Sequence, residues 1–175
     1  GSVATFEPNF EISNEFITSK ALDDRVGCYI LIETLKKIKT SNNDLYFVFT
    51  VQKELGLRGA KTAANYVSPE YCIAVDVTSC DDVPGGGKLP VKLGKGPAIK
   101  IKDGSIICHP YIKNKLIDCA EKHSIDIQYE ILEKGGTDAG AVHLSGNGVI
   151  SGALSIPCRY LHSPNEMVSI SDVND

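Results

Sequence analysis

The chain has 175 residues, a length that suits a single domain. A domain of this length can bury a hydrophobic core without disulfide bonds or structural metal ions to stabilise it. Its hydrophobic fraction of 42%, charged fraction of 23% and net charge of −4 are ordinary for a globular protein. The negative charge argues against nucleic acid as a partner, because phosphate binding needs a clustered basic surface. The sequence shows no signal peptide and no long apolar span, so we expect a cytoplasmic protein that contacts no membrane.

The cysteines point to the same compartment. None of the six forms a Cys-x-x-Cys motif, and several lie inside apolar runs. Reduced thiols are therefore expected rather than a disulfide framework or a zinc ribbon. The opening residues 1–2, Gly1-Ser2, are typical of a remnant of a purification tag.

The first fifty residues predict an extended segment, a helix and a strand. Residues 3–20 are mixed and extended. Asp23 and Asp24 open a helix whose apolar side chains fall on one face at helical spacing, namely Cys28, Leu31, Ile32, Leu35 and Ile38. Residues 44–52 form a nearly continuous apolar run rich in β-forming residues, which is typical of a strand buried on both faces.

The remainder of the chain alternates helices with strands. Helices are predicted over about 58–66, 110–123 and 137–144, with Thr137 or Asp138 as N-cap, and strands over 71–77, 97–102, 127–132 and 148–156. This alternation predicts an α/β fold, a three-layer sandwich with a mainly parallel central sheet. In such sheets, functional sites gather beyond the carboxyl ends of the strands.

Four side chains fall at such positions: Asp23 opens a helix, Glu54 and His162 each follow a predicted strand, and Asp76 ends one. Carboxylate oxygens and an imidazole suit a divalent cation such as zinc, cobalt or manganese. Taken singly, Asp23 or Asp24 could be a helix cap, Glu54 a surface charge and His162 a loop residue. Asp76 is harder to explain in that way, because a carboxylate in an apolar strand is costly unless it is paired or metal-bound.

The remaining histidines have structural interpretations. His109 precedes a proline in a predicted loop, His123 lies near a helix end where the macrodipole favours a cation, and His143 lies on the helix after Thr137. None of the three is expected to contact a metal.

Five ordered segments together resemble one known family. They are residues 21–27 (ALDDRVG), 50–60 (TVQKELGLRGA), 76–78 (DVT), 136–139 (GTDA) and 156–164 (IPCRYLHSP). In this order they resemble the deblocking or glutamyl aminopeptidases, also called tetrahedral aminopeptidases and sometimes labelled cellulases or endoglucanases. The resemblance extends from about residue 17 to the last residue.

The resemblance implies a zinc-exopeptidase-like fold and a metallo-aminopeptidase that removes N-terminal residues from short peptides. Two divalent ions, zinc or cobalt and in some cases manganese, would bind. By the resemblance, Asp23 bridges both ions, Glu54 and His162 complete one site, and Asp76 binds the other ion. The family also implies a homo-oligomer.

The chain departs from the family's pattern in three ways. Lys53 stands where the family has a glutamate that acts as general acid/base, and a protonated lysine has no acceptor lone pair. No histidine precedes Asp23, although the family takes a ligand of the second metal from there. Residues 3–20 match only the exit segment of an inserted β-barrel domain, and residues 21–175 match the catalytic domain, with its N-terminal part and C-terminal helix truncated.

Two functional classes compete on these observations, and a third follows from the cellulase label. The first is an aminopeptidase impaired by Lys53, with at most one well-formed metal site. The second is a non-catalytic relative that keeps a metal or peptide site. The third, a glycosidase, needs two carboxylates on opposite sides of a sugar-sized cleft. Carboxylates clustered with His162 fit that requirement less well than they fit a metal site. Lys53 itself either points to solvent or places its ammonium where the second cation belongs, against Asp76 or Asp23.

Overall fold

The computed structural model of the chain describes residues 1–7, 9–87 and 89–175. The strands are β1 (Phe10–Ile12), β2 (Phe16–Ser19), β3 (Tyr71–Ser79), β4 (Ala98–Lys102), β5 (Gln128–Ile131), β6 (Ile150–Arg159) and β7 (Glu166–Ser169). The helices are α1 (Leu22–Lys37), α2 (Arg58–Val67), α3 (Pro110–His123), α4 (Asp138–Val142) and α5 (Ile170–Asn174). The predicted α/β class is confirmed.

Strand β6 organises the sheet. It pairs in parallel with β3 along one edge, while β4 and β7 pair antiparallel with different stretches of its other edge. The sheet then continues from β7 through β2 to β1, all antiparallel, and from β4 to the parallel strand β5. The expectation of a mainly parallel sheet is therefore wrong for the described residues. Short connections explain two of the antiparallel pairs, because a parallel crossover needs about a dozen residues and only residues 13–15 join β1 to β2 and residues 160–165 join β6 to β7.

Helices cover both faces of the sheet. On one face, Leu22 and Val26 of α1 pack with Val77 of β3 and Ile156 of β6. On the other face, α2 and α4 pack together through small residues and contact Cys72 of β3. Because successive side chains of a strand point to opposite faces, the even-numbered Cys72 and the odd-numbered Val77 belong to the two different layers.

The segment 44–52 forms no strand among the described residues, which corrects the prediction of a buried strand. Five of its apolar side chains are exposed, from 40% for Val48 to 68% for Val51, and Phe47 is half-buried. An apolar run with β-branched residues indicates that the segment suits a pleated, half-buried surface. To form a strand, the segment also needs a neighbouring strand with which to form hydrogen bonds. In the part of the chain that the structure describes, β3 pairs with β6 and leaves its second edge open.

The buried face of α1 also differs from the predicted one. Leu22, Val26 and Gly27 are buried, whereas Ile32 and Leu35 are exposed. The helix is apolar on more than one side, so the periodicity alone does not determine which apolar face is buried. Packing against β3 and β7 buries the face that begins at Leu22.

The six cysteines are free thiols, as expected, although Cys119 is exposed and only Cys80, Cys108 and Cys158 are buried. No helix in the described ranges combines the length and the apolar character that crossing a membrane requires.

Candidate metal centre

The four side chains singled out in the sequence lie together at one rim of the sheet. Asp23 lies in the first turn of α1, Glu54 in the loop before α2, Asp76 in β3 and His162 in the loop after β6. The His162 Nε2 atom lies 3.1 Å from Asp23 Oδ2 and 3.9 Å from Glu54 Oε2. The side chains of Glu54 and His162 are 61% and 63% exposed, so this side of the cluster faces solvent.

Lys53 lies inside the same cluster. Its Nζ atom is 2.8 Å from Asp76 Oδ1, 3.2 Å from Asp23 Oδ1 and 3.2 Å from Glu54 Oε1. The Lys53 side chain is 21% exposed, and the side chains of Asp23 and Asp76 are only 5% and 7% exposed. The expectation that Lys53 points to solvent therefore does not describe this structure.

The described residues contain two groups of side chains whose ligand atoms lie within 4.8 Å of one another. One consists of Asp23, Glu54 and His162, and the other of Asp23, Asp24 and Asp76. The first group fits a divalent ion, because it combines two carboxylates with an imidazole and opens to solvent. The second group does not fit one as it stands, because the Lys53 ammonium already contacts Asp23 and Asp76.

The electrostatics of the cluster follow from burial and crowding. Burial lowers the pKa of Lys53, but the charge and hydrogen bond of Asp76, with further attraction from Asp23 and Glu54, more than offset it and raise the pKa above its ordinary value. Burial raises the pKa of Asp76 despite its contact with Lys53. Burial, followed by repulsion from Asp76, raises the pKa of Asp24 to about 8.

A carboxylate that the sequence analysis did not identify holds two of these residues in place. Glu166, the first residue of β7, is 2% exposed. Its Oε2 atom accepts the backbone N–H of Asp23 at 2.9 Å, and its Oε1 atom accepts that of His162 at 2.8 Å. The backbone of His162 has a φ of 63°, in the left-handed region that costs about 1–2 kcal/mol for a residue with a side chain. The hydrogen bond that the His162 N–H donates to Glu166 stabilises this conformation.

The loop that carries Lys53 and Glu54 is also held by its own backbone. The N–H groups of Gly56 and Leu57 both donate to the carbonyl oxygen of Lys53, at 3.1 and 3.0 Å. Gln52 and Leu57 adopt left-handed φ values of 58° and 56° on either side of the pair. This tight turn fixes the direction in which the Lys53 side chain leaves the loop.

A cleft of about 410 Å³ opens from the cluster. Its other wall is formed by Leu132, residues 134–137 and Leu161. Thr137 is the N-cap residue of α4, as the sequence predicted, but its side chain makes no capping hydrogen bond. The Thr137 hydroxyl is buried and has no hydrogen-bond partner among the described residues. The cleft is large enough for a small ligand and is reached from the exposed side of Glu54 and His162.

The other histidines lie in structural positions. His109 is the N-cap of α3 and accepts the N–H of Tyr111, His123 ends α3, and His143 contacts the carbonyl oxygen of Ala139 through Nδ1. Two polar residues of the cluster were missed as site residues. Asp24 was considered only as a helix cap, and Glu166 has no sequence signal beyond its proximity to His162, because its role depends on the packing of β7 against α1.

Comparison with known proteins places this chain among the aminopeptidases. A family model described as M42 glutamyl aminopeptidase matches residues 1–175, and the chain therefore belongs to the M42 aminopeptidase family. An aminopeptidase candidate of Acetivibrio thermocellus is 50% identical over 175 residues, which are 100% of this chain and 53% of that protein. The lysyl aminopeptidase of Pyrococcus furiosus is 35% identical over 177 residues, covering 100% of this chain and 50% of that protein.

Solved structures agree with this assignment. The aminopeptidase APDkam598 from the archaeon Desulfurococcus kamchatkensis has a TM-score of 0.92 and 43% identity, covering 97% of this chain and 49% of that chain. The Pyrococcus horikoshii TET1 peptidase, described as able to assemble into a tetrahedron or a large octahedral shell, has a TM-score of 0.82 and 38% identity, covering 97% of this chain and 50% of that chain. The chain thus spans about half the length of the relatives it matches.

Proposed function

We propose that the protein is a metal-dependent aminopeptidase that hydrolyses N-terminal residues from short peptides, and that Lys53 impairs its turnover. Family membership supports the reaction class. The observation that carries the metal dependence is the approach of Asp23, Glu54 and His162, whose ligand atoms lie within 4.8 Å of one another beside an open cleft.

Within this proposal, Asp23, Glu54 and His162 hold one divalent ion. Such an ion would polarise a peptide carbonyl and lower the pKa of a bound water. Glu166 positions two of the three ligands through their backbone N–H groups. The cleft wall at residues 134–137 and Leu161 then receives the peptide next to the exposed ligands.

Lys53 is the reason to expect weak turnover. A general base must accept a proton, and a lysine that is protonated has no lone pair with which to do so. The carboxylates around Lys53 raise its pKa, so that the charged form persists through neutral pH. Loss of a general base typically costs about 10²–10⁴-fold in rate.

A second candidate is a non-catalytic relative that retains a metal or peptide site. The observation in its favour is that three carboxylates engage the Lys53 ammonium and hold it in the cluster. In this case, binding of a divalent ion survives while hydrolysis is absent. We further propose a homo-oligomeric assembly, supported by the TET1 structure of Pyrococcus horikoshii.

Hydrolysis of amino-acid and dipeptide p-nitroanilides by the full-length protein tests the proposal, with zinc, cobalt or manganese added after chelation. We expect slow, metal-dependent release that His162→Ala abolishes and that the control His123→Ala leaves unchanged. Hydrolysis that resists chelation contradicts the proposal. Metal binding that His162→Ala removes, without any hydrolysis, identifies the second candidate. Release of sugar from a β-glucan with no peptide hydrolysis would instead identify a glycosidase.

A further inference from the structure

We propose that the Lys53 ammonium occupies the second-cation position of this centre, so that the site takes one divalent ion where its carboxylates would otherwise hold two. This inference rests on the proposed function for the first ion, but concerns a different part of the cluster. It assigns to Lys53 the role of a fixed, covalently attached cation.

The orientation of Asp23 carries the inference. Its Oδ2 atom faces the Nε2 atom of His162 at 3.1 Å, and its Oδ1 atom faces the Nζ atom of Lys53 at 3.2 Å. The two carboxylate oxygens of Glu54 are arranged in the same way. Its Oε2 atom lies 3.9 Å from His162 Nε2, and its Oε1 atom lies 3.2 Å from Lys53 Nζ. Each carboxylate therefore presents one oxygen to the open ligand set and the other to the ammonium, as a carboxylate shared between two cations would.

Asp76 supplies the third contact of the ammonium. Its Oδ1 atom lies 2.8 Å from Lys53 Nζ, the shortest of the three distances, and also accepts the N–H of Val77. Asp76 belongs to the second group of ligand-capable side chains, with Asp23 and Asp24. The ammonium thus contacts two of the three carboxylates that would have to bind a second ion.

Burial explains why a cation is needed there. The side chains of Asp23 and Asp76 are almost fully buried and lie next to Asp24, whose Oδ1 atom is buried without a hydrogen-bond partner among the described residues. Clustered carboxylates in such surroundings repel one another unless a positive charge lies between them. A lysine ammonium is a compact charge with three donors, which matches the three carboxylate oxygens around it.

The backbone makes this position a built feature rather than one rotamer of a mobile side chain. Two N–H groups bind the Lys53 carbonyl oxygen, and the flanking left-handed residues direct the side chain into the cluster. A second divalent ion would have to displace this tethered ammonium from carboxylates that it contacts at 2.8–3.2 Å. Among residues 1–7, 9–87 and 89–175, no lysine or arginine other than Lys53 forms an ion pair with Asp23 or Glu54, so the first ion meets no such competitor there.

The test uses Lys53→Met, which keeps the length of the stem and removes the charge, and Lys53→Arg, which keeps the charge. Lys61→Met is the matched control, because Lys61 is an exposed lysine of α2. Melting temperatures are measured on chelated full-length protein, and zinc stoichiometry of the full-length protein is measured by calorimetry and elemental analysis. We expect Lys53→Met to melt at least about 5 °C below Lys61→Met without metal, because an uncompensated buried charge is strongly destabilising. We also expect wild type and Lys53→Arg to bind one zinc per chain, and Lys53→Met to bind two.

The outcomes separate this inference from the proposed function. Two zinc ions in the wild type, or equal stoichiometry in wild type and Lys53→Met, overturns the role of Lys53 and leaves the first metal site intact. No zinc in the wild type but one in Lys53→Met overturns the first site and supports the role of Lys53. A metal-free melting temperature of Lys53→Met equal to that of Lys61→Met overturns the inference whatever the stoichiometry. Should Lys53→Met fail to fold, a second zinc ion bound by Lys53→Arg would overturn it.

Discussion

Removal of the Glu166 carboxylate should destabilise the fold and the metal centre together. Its two oxygens accept the backbone N–H groups of Asp23 and His162, and the residue is 2% exposed. Hydrogen bonds to charged groups contribute about 1.5–3 kcal/mol each, so Glu166→Ala is expected to lower the free energy of unfolding by about 3–6 kcal/mol. Glu166→Gln keeps one acceptor oxygen and turns an amide donor toward the other N–H, so about half of that loss is expected.

Urea denaturation followed by circular dichroism measures these losses, with Glu133→Ala as an exposed control. A second readout is zinc affinity. Glu166→Gln should weaken zinc binding by roughly 10-fold or more, as for other residues that orient metal ligands. If both Glu166 variants unfold within about 0.5 kcal/mol of Glu133→Ala, the range typical of surface substitutions, the role assigned to Glu166 is wrong.

Two further predictions concern other parts of the fold. The hydrogen bonds that Arg159 donates hold the pKa of the Asp82 carboxyl below its ordinary value. The pairing of Arg159 with ionised Asp82 therefore stabilises the fold at pH values above the ordinary pKa of aspartate. This contribution is lost as the pH falls through the lower pKa of the folded state. Asp82→Asn should therefore lower stability by about 1 kcal/mol at pH 7 and by progressively less from pH 4 downward, as a series of thermal melts would show; a constant difference would contradict this. Gly96 has a φ of 84° and its added Cβ would meet the carbonyl oxygen of Asp126, whereas Gly146 has a φ of 56° and open space. In denaturant titrations Gly96→Ala should cost at least about 3 kcal/mol and Gly146→Ala about 1–2 kcal/mol, and equal losses would refute the steric account.

Local signals in the sequence were sufficient for much of the fold. Helix α3 has the predicted bounds, 110–123, because a proline at its first position and a regular apolar spacing mark it clearly. Strand β3 begins where predicted, since a continuous run of β-forming residues leaves little alternative. Strand β6 extends to Arg159, beyond the predicted residue 156, because its pairing with β3 and β7 carries the ladder further.

Features that depend on residues distant in the chain could not be predicted from local sequence signals. The apolar run at 44–52 predicts a strand, but propensity does not supply a pairing partner. The strand directions depend on the connections and on which edges meet. The approach of Asp23 to His162 followed from their positions beside regular elements, whereas the contact of Glu166 with their backbone N–H groups depends on the register of β7.

The central claim is that the cluster holds one divalent ion and one ammonium. Anomalous diffraction at the zinc edge, from crystals of the full-length protein grown with zinc, tests it most directly. We predict one peak within bonding distance of Asp23, Glu54 and His162, with the Lys53 amine next to Asp76. Two peaks, or a single peak between Asp23 and Asp76 with Lys53 turned to solvent, would contradict the account.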